Sequence, residues 1–152
     1  MLRFLADCNV GRLARWLRVL GYDAVYEPLL PDAQIVARAL AEGRVLLTRD
    51  ADMMQRKVIA GGAVRALLLR NDRVQDQVRQ VLTELALEPV QPLSRCLDCN
   101  AELEPRAKAA VAGRLPPYVY ATQERFSECP QCARVFWPGT HWERMRERIA
   151  AL

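Results

Sequence analysis

The sequence predicts an α/β protein, a small parallel sheet followed by a second, cysteine-organised unit. Three observations carry that expectation. Short apolar runs alternate with segments whose apolar residues recur at helical spacing. The runs are continuously apolar rather than alternating, as in strands covered on both faces. Four of the 5 cysteines fall after residue 95 of the 152, as two C-x-x-C pairs.

Each element follows from its residues. Leu2-Arg3-Phe4-Leu5-Ala6 is the first strand, ending at Asp7. Val10, Leu13, Ala14, Leu17 and Leu20 then mark a helix that Gly21 stops. Asp23-Ala24-Val25-Tyr26 is the second strand. Asp32 opens a helix with Ile35, Val36, Ala39 and Leu40 on one face, and Gly43 ends it. Arg44-Val45-Leu46-Leu47-Thr48 is the third strand, leading into Arg49-Asp50. One helix is expected over residues 51–59, closed by Gly61-Gly62, and a fourth strand over residues 63–69. Val74, Val78, Val81, Leu82 and Leu85 mark a last helix after Asp72. Crossovers between the parallel strands should be right-handed. The segment Glu88-Pro89-Val90-Gln91-Pro92 is polar with two prolines, so the expected domains are residues 1–92 and 93–152.

Composition narrows the function. Apolar residues make up 51% and charged residues 26%, as in a globular protein, which excludes disorder along the whole chain. No apolar run approaches the roughly 18 residues of a membrane span. The stretch before Asp7 is too short for a secretory signal. The expectation is a cytoplasmic protein without a membrane partner. His141 is the only histidine, Ser94 and Ser127 are the only serines, and no G-x-S-x-G occurs. A serine hydrolase and a multi-histidine zinc hydrolase are thereby excluded. Phosphate loops of the G-x-x-x-x-G-K-[ST] and G-x-G-x-x-G types are also absent. Carboxylates, cysteines and arginines remain for chemistry. The excess of 22 Lys+Arg over 18 Asp+Glu points weakly to an anionic partner.

Acids recur at the strand ends. Asp7 follows the first strand, Asp50 the third, and Asp52 lies two residues on, while Asp32 starts the helix after the second strand. In an open parallel sheet these ends share one edge, where ligands bind at the topological switch. Adjacent first and third strands would gather Asp7, Asp50 and Asp52, with Asp32 nearby. Such an oxygen-rich group suits Mg²⁺ or Mn²⁺, ions that activate water and polarise a phosphodiester. Each acid also has a plain structural use: Asp32 and Asp72 as helix caps, Asp50 as a cap for a helix starting at Ala51. Asp7 resists that explanation, because Asn9 is equally able to cap the first helix. A receiver-type sheet clusters aspartates too, but needs a late lysine, and none lies between Lys57 and Lys108.

Three segments carry a family resemblance: Phe4-Leu5-Ala6-Asp7, the stretch Leu13-Ala14-Arg15-Trp16-Leu17-Arg18-Val19-Leu20-Gly21-Tyr22-Asp23, and Leu46-Leu47-Thr48-Arg49-Asp50-Ala51-Asp52. Together they resemble the PIN-like Mut7-C ribonuclease family. The likeness continues through Cys96-Leu97-Asp98-Cys99-Asn100 and Phe136-Trp137-Pro138-Gly139-Thr140-His141-Trp142, covering almost the whole chain. It implies a PIN-type sheet followed by a zinc ribbon, and metal-dependent ribonuclease activity. It also implies that Asp7, Asp50 and Asp52 are metal-binding acids. Asp32 corresponds approximately to the acid of the second helix, where PIN proteins usually carry a glutamate.

The cysteines speak for themselves. Cys96/Cys99 and Cys129/Cys132 offer four thiolates in two knuckles, the tetrahedral sulfur shell of a structural Zn²⁺. Two disulfides or a redox C-x-x-C are the alternatives, disfavoured by the cytoplasmic expectation and by the doubling of the pair. Cys8 is expected as a buried small residue. Thr140 and Glu143 suggest a capping box, with Trp142, Met145 and Ile149 packing inward and His141 as a structural or phosphate contact. Among the arginines, Arg12 is the choice for substrate phosphate. Arg49 either assists it or pairs with an acid, and Arg15 and Arg18 are expected on a solvated face. Arg106, Lys108, Arg114, Tyr118, Tyr120 and Arg125 could hold single-stranded RNA or pack on the ribbon.

The leading expectation is therefore a Mg²⁺- or Mn²⁺-dependent ribonuclease with RNA as partner and a ribbon that assists RNA binding. The alternatives are a non-catalytic RNA- or ribosome-binding adaptor and a zinc-organised protein-interaction module.

Overall fold

Four parallel strands form the centre of the first unit in the computed structural model, which describes residues 1–88 and 92–152. Part of the expected linker, residues 89–91, lies outside the described residues. The chain divides into Met1–Pro92 and Leu93–Leu152.

In the first unit the elements run β1 Phe4–Ala6, α1 Gly11–Val19, β2 Ala24–Tyr26, α2 Asp32–Glu42, β3 Val45–Thr48, α3 Lys57–Ala60, β4 Ala66–Leu68 and α4 Val74–Glu84. The sheet order is β2-β1-β3-β4, all parallel. Side chains alternate across β1. Leu5 joins Leu46, Ile35, Val36 and Ala39 in one buried cluster that includes α2. Phe4 points the other way and meets Tyr22 edge-on, ring centroids 5.6 Å apart. Burying each such side chain contributes about 1.5–3 kcal/mol before entropy is counted. At the amino ends of the strands, the buried Arg44 bonds Asp23 at 2.7 Å, Glu42 at 2.8 Å and the Phe4 carbonyl at 3.2 Å. Burial opposes its charge, but the two carboxylates more than compensate and raise its pKa.

The single helix expected over residues 51–59 is broken. A 3-10 turn spans Met53–Gln55, Arg56 is extended, and α3 begins at Lys57. Met53 and Ile59 both enter the cluster under α2. On a continuous helix, residues with that spacing would point about 120° apart; with the break at Arg56 both are buried in one cluster. Neither Asp32 nor Asp72 caps a helix with its side chain: Pro31 is the N-cap of α2 and Arg73 that of α4. Arg18 is buried and donates to the Ala24 carbonyl at 2.8 Å, so it does not lie on a solvated face. Cys8 is exposed rather than buried.

The second unit holds an antiparallel sheet, β5 Glu104–Arg106, β6 Phe126–Glu128 and β7 Val135–Phe136, in that order. Helices α5 Pro117–Thr122 and α6 Thr140–Ala150 complete it. Met145 of α6 is buried, with Trp142 and Ile149 half-buried beside it in the helical repeat. The expected capping box does not form, because Gly139 takes the N-cap place and Thr140 is already helical. Among the described residues no helix is long and apolar enough to cross a membrane.

Candidate functional site

The carboxyl edge of the sheet is built around Asp7. Its N–H donates to the Leu47 carbonyl at 2.9 Å, extending the β1–β3 ladder one residue beyond the strand. That clamps the side chain, 2% exposed, against β3. Asp7 Oδ1 accepts from the Cys8 amide at 2.7 Å and Oδ2 from the Thr48 hydroxyl at 2.8 Å. The Thr48 oxygen accepts in turn from the Asp50 amide at 3.0 Å. Asp50 Oδ1 accepts from the Asp52 amide at 2.9 Å. Asp7, Asp50 and Asp52 are thus joined by one hydrogen-bonded path through Thr48, at the point where the chain order switches between β1 and β3.

Asp32 comes near the same edge. The Cys8 thiol has a raised pKa, chiefly from the charge of Asp7, with burial and the charge of Asp32 adding to it. No lysine or arginine forms an ion pair with Asp7, Asp32, Asp50 or Asp52 among the described residues. Arg12 and Arg49 are exposed and likewise without an ion pair among them. Arg49 therefore does not serve as a structural partner for an acid. The acids do not draw together as closely as the cysteines do. Among the described residues only Cys96, Cys99, Cys129 and Cys132 form a group whose ligand atoms all lie within 4.8 Å of one another. Thr48 is the residue that sequence reasoning passed over. Its place directly before Arg49-Asp50, on the strand beside Asp7, was the available signal.

The cysteine centre is built from two near-identical knuckles. In the first, the Asn100 amide donates to the Cys96 carbonyl at 2.9 Å and the Cys99 amide to the Cys96 sulfur at 3.4 Å. In the second, the Ala133 amide donates to the Cys129 carbonyl at 2.9 Å, and the Gln131 amide to the Cys129 sulfur at 3.4 Å. Asn100 and Ala133 both take positive φ, 67° and 61°, to close their turns. All four thiols are free, so the disulfide alternative does not apply. Cys96 and Cys132 sulfurs are 3.8 Å apart. A tetrahedron with Zn–S bonds of about 2.3 Å has edges of about 3.8 Å, so the group fits a zinc ion. Without a cation the crowded thiols resist ionising together. Cys99 is pushed up to about 12, first by its hydrogen bond with Cys132. Burial likewise raises Cys96. Cys129 goes the other way: burial opposes its thiolate, but the amides of Cys132 and Gln131 favour it and prevail. A zinc ion resolves that conflict by taking all four as thiolates.

With the acids and the cysteines in place, the comparison with known families is decisive. The family model described as Mut7-C RNAse domain matches residues 2–149. The chain belongs to the Mut7-C RNAse domain family. No curated protein and no solved structure matches it. Membership in Mut7-C points to a ribonuclease-type function and to RNA as the interacting molecule.

Within this Mut7-C chain, three of the basic residues expected to meet RNA are paired internally. Arg106 pairs with Glu104 and Glu128, Arg114 with Glu128, and Lys108 with Glu124. Lys108 also lies over the Tyr120 ring, 5.0 Å from its centroid. Tyr118 is 77% exposed.

Proposed function

We propose that residues 1–92 form a PIN-like, divalent-metal-dependent ribonuclease that hydrolyses RNA phosphodiester bonds, and that residues 93–152 form a zinc ribbon that helps hold the RNA. Asp7, Asp50 and Asp52 are the ligands of Mg²⁺ or Mn²⁺, with Asp32 as a further acid of the site. One observation carries this reading: Asp7 is a buried carboxylate, held by two donors and unpaired with any basic residue, on a path that leads through Thr48 to Asp50. Buried carboxylates are ordinarily paired with a cation or a metal. The donors at this edge are hard oxygens, which suit Mg²⁺ or Mn²⁺.

When bound, such an ion offsets the acids' charge, polarises a phosphodiester oxygen and lowers the pKa of an adjacent water. The chain's own residues do the rest. Thr48 and the Cys8 amide fix the Asp7 carboxylate in one orientation, and the Asp52 amide fixes that of Asp50. Arg12 and Arg49, exposed and free of ion pairs among the described residues, hold substrate phosphates. RNA holding by the ribbon falls to Tyr118 and the exposed Arg125. Four thiols kept free for zinc suit a reducing compartment such as the cytoplasm.

The test is cleavage of single-stranded RNA by purified protein with Mn²⁺ or Mg²⁺ added. Cleavage should require the added ion, and Asp50→Asn should lower kcat about a hundredfold or more while the fold and RNA binding persist. RNA binding without cleavage in the unaltered protein would establish the adaptor instead. Undiminished cleavage by the Asp7→Asn, Asp50→Asn double variant would refute the carboxylate mechanism.

A further inference from the structure

Beside the acids, the first unit contains a cleft of about 410 Å³ between the amino ends of α1 and α4 and the end of β2. Cys8, which follows Asp7, lies on its wall. We infer that this cleft binds one nucleotide unit whose base carries an exocyclic amino group. Its place along an RNA strand rests on the nuclease reading; its affinity for a nucleotide does not.

The volume lies in the range of small-ligand sites. Val10 and Val74, 2% and 4% exposed, give the cleft an apolar floor for the face of a base. Tyr26 adds an aromatic wall. Its hydroxyl donates to the Cys8 carbonyl at 3.1 Å, and its ring rests against Gly11, where a Cβ would come within 2.5 Å of it. Glycine at position 11 is what lets the ring sit there.

Gln77 supplies the selective group. Its side chain is 4% exposed and lines the cleft. Nε2 donates to the Asn71 carbonyl at 2.8 Å, which fixes the orientation of the amide and leaves Oε1 as the free end. Oε1 accepts no hydrogen bond among the described residues. Among the described residues no buried side-chain oxygen or nitrogen is sealed away without a partner, so Oε1 keeps access to solvent, and Gln77 lines the cleft. An acceptor above an apolar floor selects an N–H donor; adenine meets it with its 6-amino group, and a purine lacking that group leaves Oε1 unsatisfied. Asp72 adds a second acceptor to the lining. The exposed Arg12 guanidinium offers the opposite chemistry, a cation for phosphate. Acceptors and an apolar floor for an amino-bearing base, with a cation for phosphate, describe a nucleotide.

The experiment is calorimetric titration of the zinc-loaded full chain with 5′-AMP and with purine riboside 5′-monophosphate, which differs only in lacking the 6-amino group, without Mg²⁺ or Mn²⁺. AMP should bind about fivefold more tightly than the amino-free analogue, the worth of one hydrogen bond. Gln77→Met should erase that preference, and Arg12→Gln should reduce AMP to the affinity of adenosine. AMP added to the unaltered protein should shift the NMR signals of the Val10 and Val74 methyls and of the Gln77 amide, a readout independent of variant folding. Hexaadenylate binding more tightly than AMP assigns the cleft to a strand; AMP binding more tightly assigns it to a free nucleotide. Absence of saturable AMP binding, signal shifts elsewhere, or equal affinity for AMP and the amino-free analogue overturns the inference. Loss of RNA cleavage with AMP binding intact would refute the nuclease and leave the cleft standing. Active, carboxylate-dependent cleavage without AMP binding would do the reverse.

Discussion

Replacing Thr48 by valine tests how the acidic edge is held together. The change keeps the shape of the side chain but deletes the hydroxyl that donates to Asp7 and accepts from Asp50. Thr48 is fully buried, so water cannot stand in on the Asp7 side without displacing the strand. A hydrogen bond to a charged group contributes about 1.5–3 kcal/mol, and the neutral Asp50 amide bond about 1 kcal/mol. The extra methyl returns about 0.8 kcal/mol of apolar burial. The net loss is about 2–3 kcal/mol, equivalent to a fall in Tm of roughly 8–24 °C for a unit of this size. Urea unfolding with zinc in excess, followed at the amides of β1 and β3, should show a lower midpoint at unchanged m. Thr48→Ser keeps the hydroxyl and loses only a methyl, so it should fall between the valine variant and the original. Valine as stable as threonine, with serine the weaker of the two, would mean that the hydroxyl bridge carries no weight and Thr48 is merely core.

Two further outcomes follow from other parts of the molecule. Purified protein should carry about one zinc per chain by elemental analysis, and Cys129→Ser should lose both the metal and the chemical-shift dispersion of residues 93–152, since zinc binding and folding are coupled. Glu42 has a lowered pKa, first through its hydrogen bond from Arg44 and then through that from Arg38. Its contribution to stability is therefore fully present above the unfolded carboxylate pKa of about 4.3 and is lost as pH falls through the lower folded value. Glu42→Gln should destabilise the protein at neutral pH, and its deficit should close in that acid window; a deficit constant with pH would contradict the pairing.

The parallel sheet was legible because its strands are short and continuously apolar. The thiolate cluster was legible because C-x-x-C spacing is itself a geometric statement. What periodicity could not reveal was the competition between local and tertiary demands. Residues 51–59 read as one helix, but burial of both Met53 and Ile59 in one cluster broke it. Arg18 read as solvent-facing by its charge, yet the Ala24 carbonyl gives its guanidinium a buried partner. The acids were expected at one edge by their positions after the strands. The agent that links them, Thr48, resembles any β-branched strand residue until its neighbour across the ladder is known. Tyr26 was invisible for the same reason, since its hydroxyl takes its place from Cys8, 18 residues away in the chain.

The order β2-β1-β3-β4 has a consequence for cooperativity. Phe4 pairs with Ala24 and Leu46 with Ala66, so each outer pairing closes a short strand–helix–strand unit. The pairing between them spans a longer loop: Asp7 and Thr48 are 41 residues apart. Loop closure costs more as the loop lengthens, so β1–β3 is the costliest junction in the sheet to close. The acids stand on that junction. If it parts, Asp7 leaves Thr48 while β1–β2 and β3–β4 keep their local partners. A chain holding only those two halves has most of its strands paired but no joined acidic edge. The site therefore cannot form before the two halves pair, and its integrity reports on the sheet as a whole.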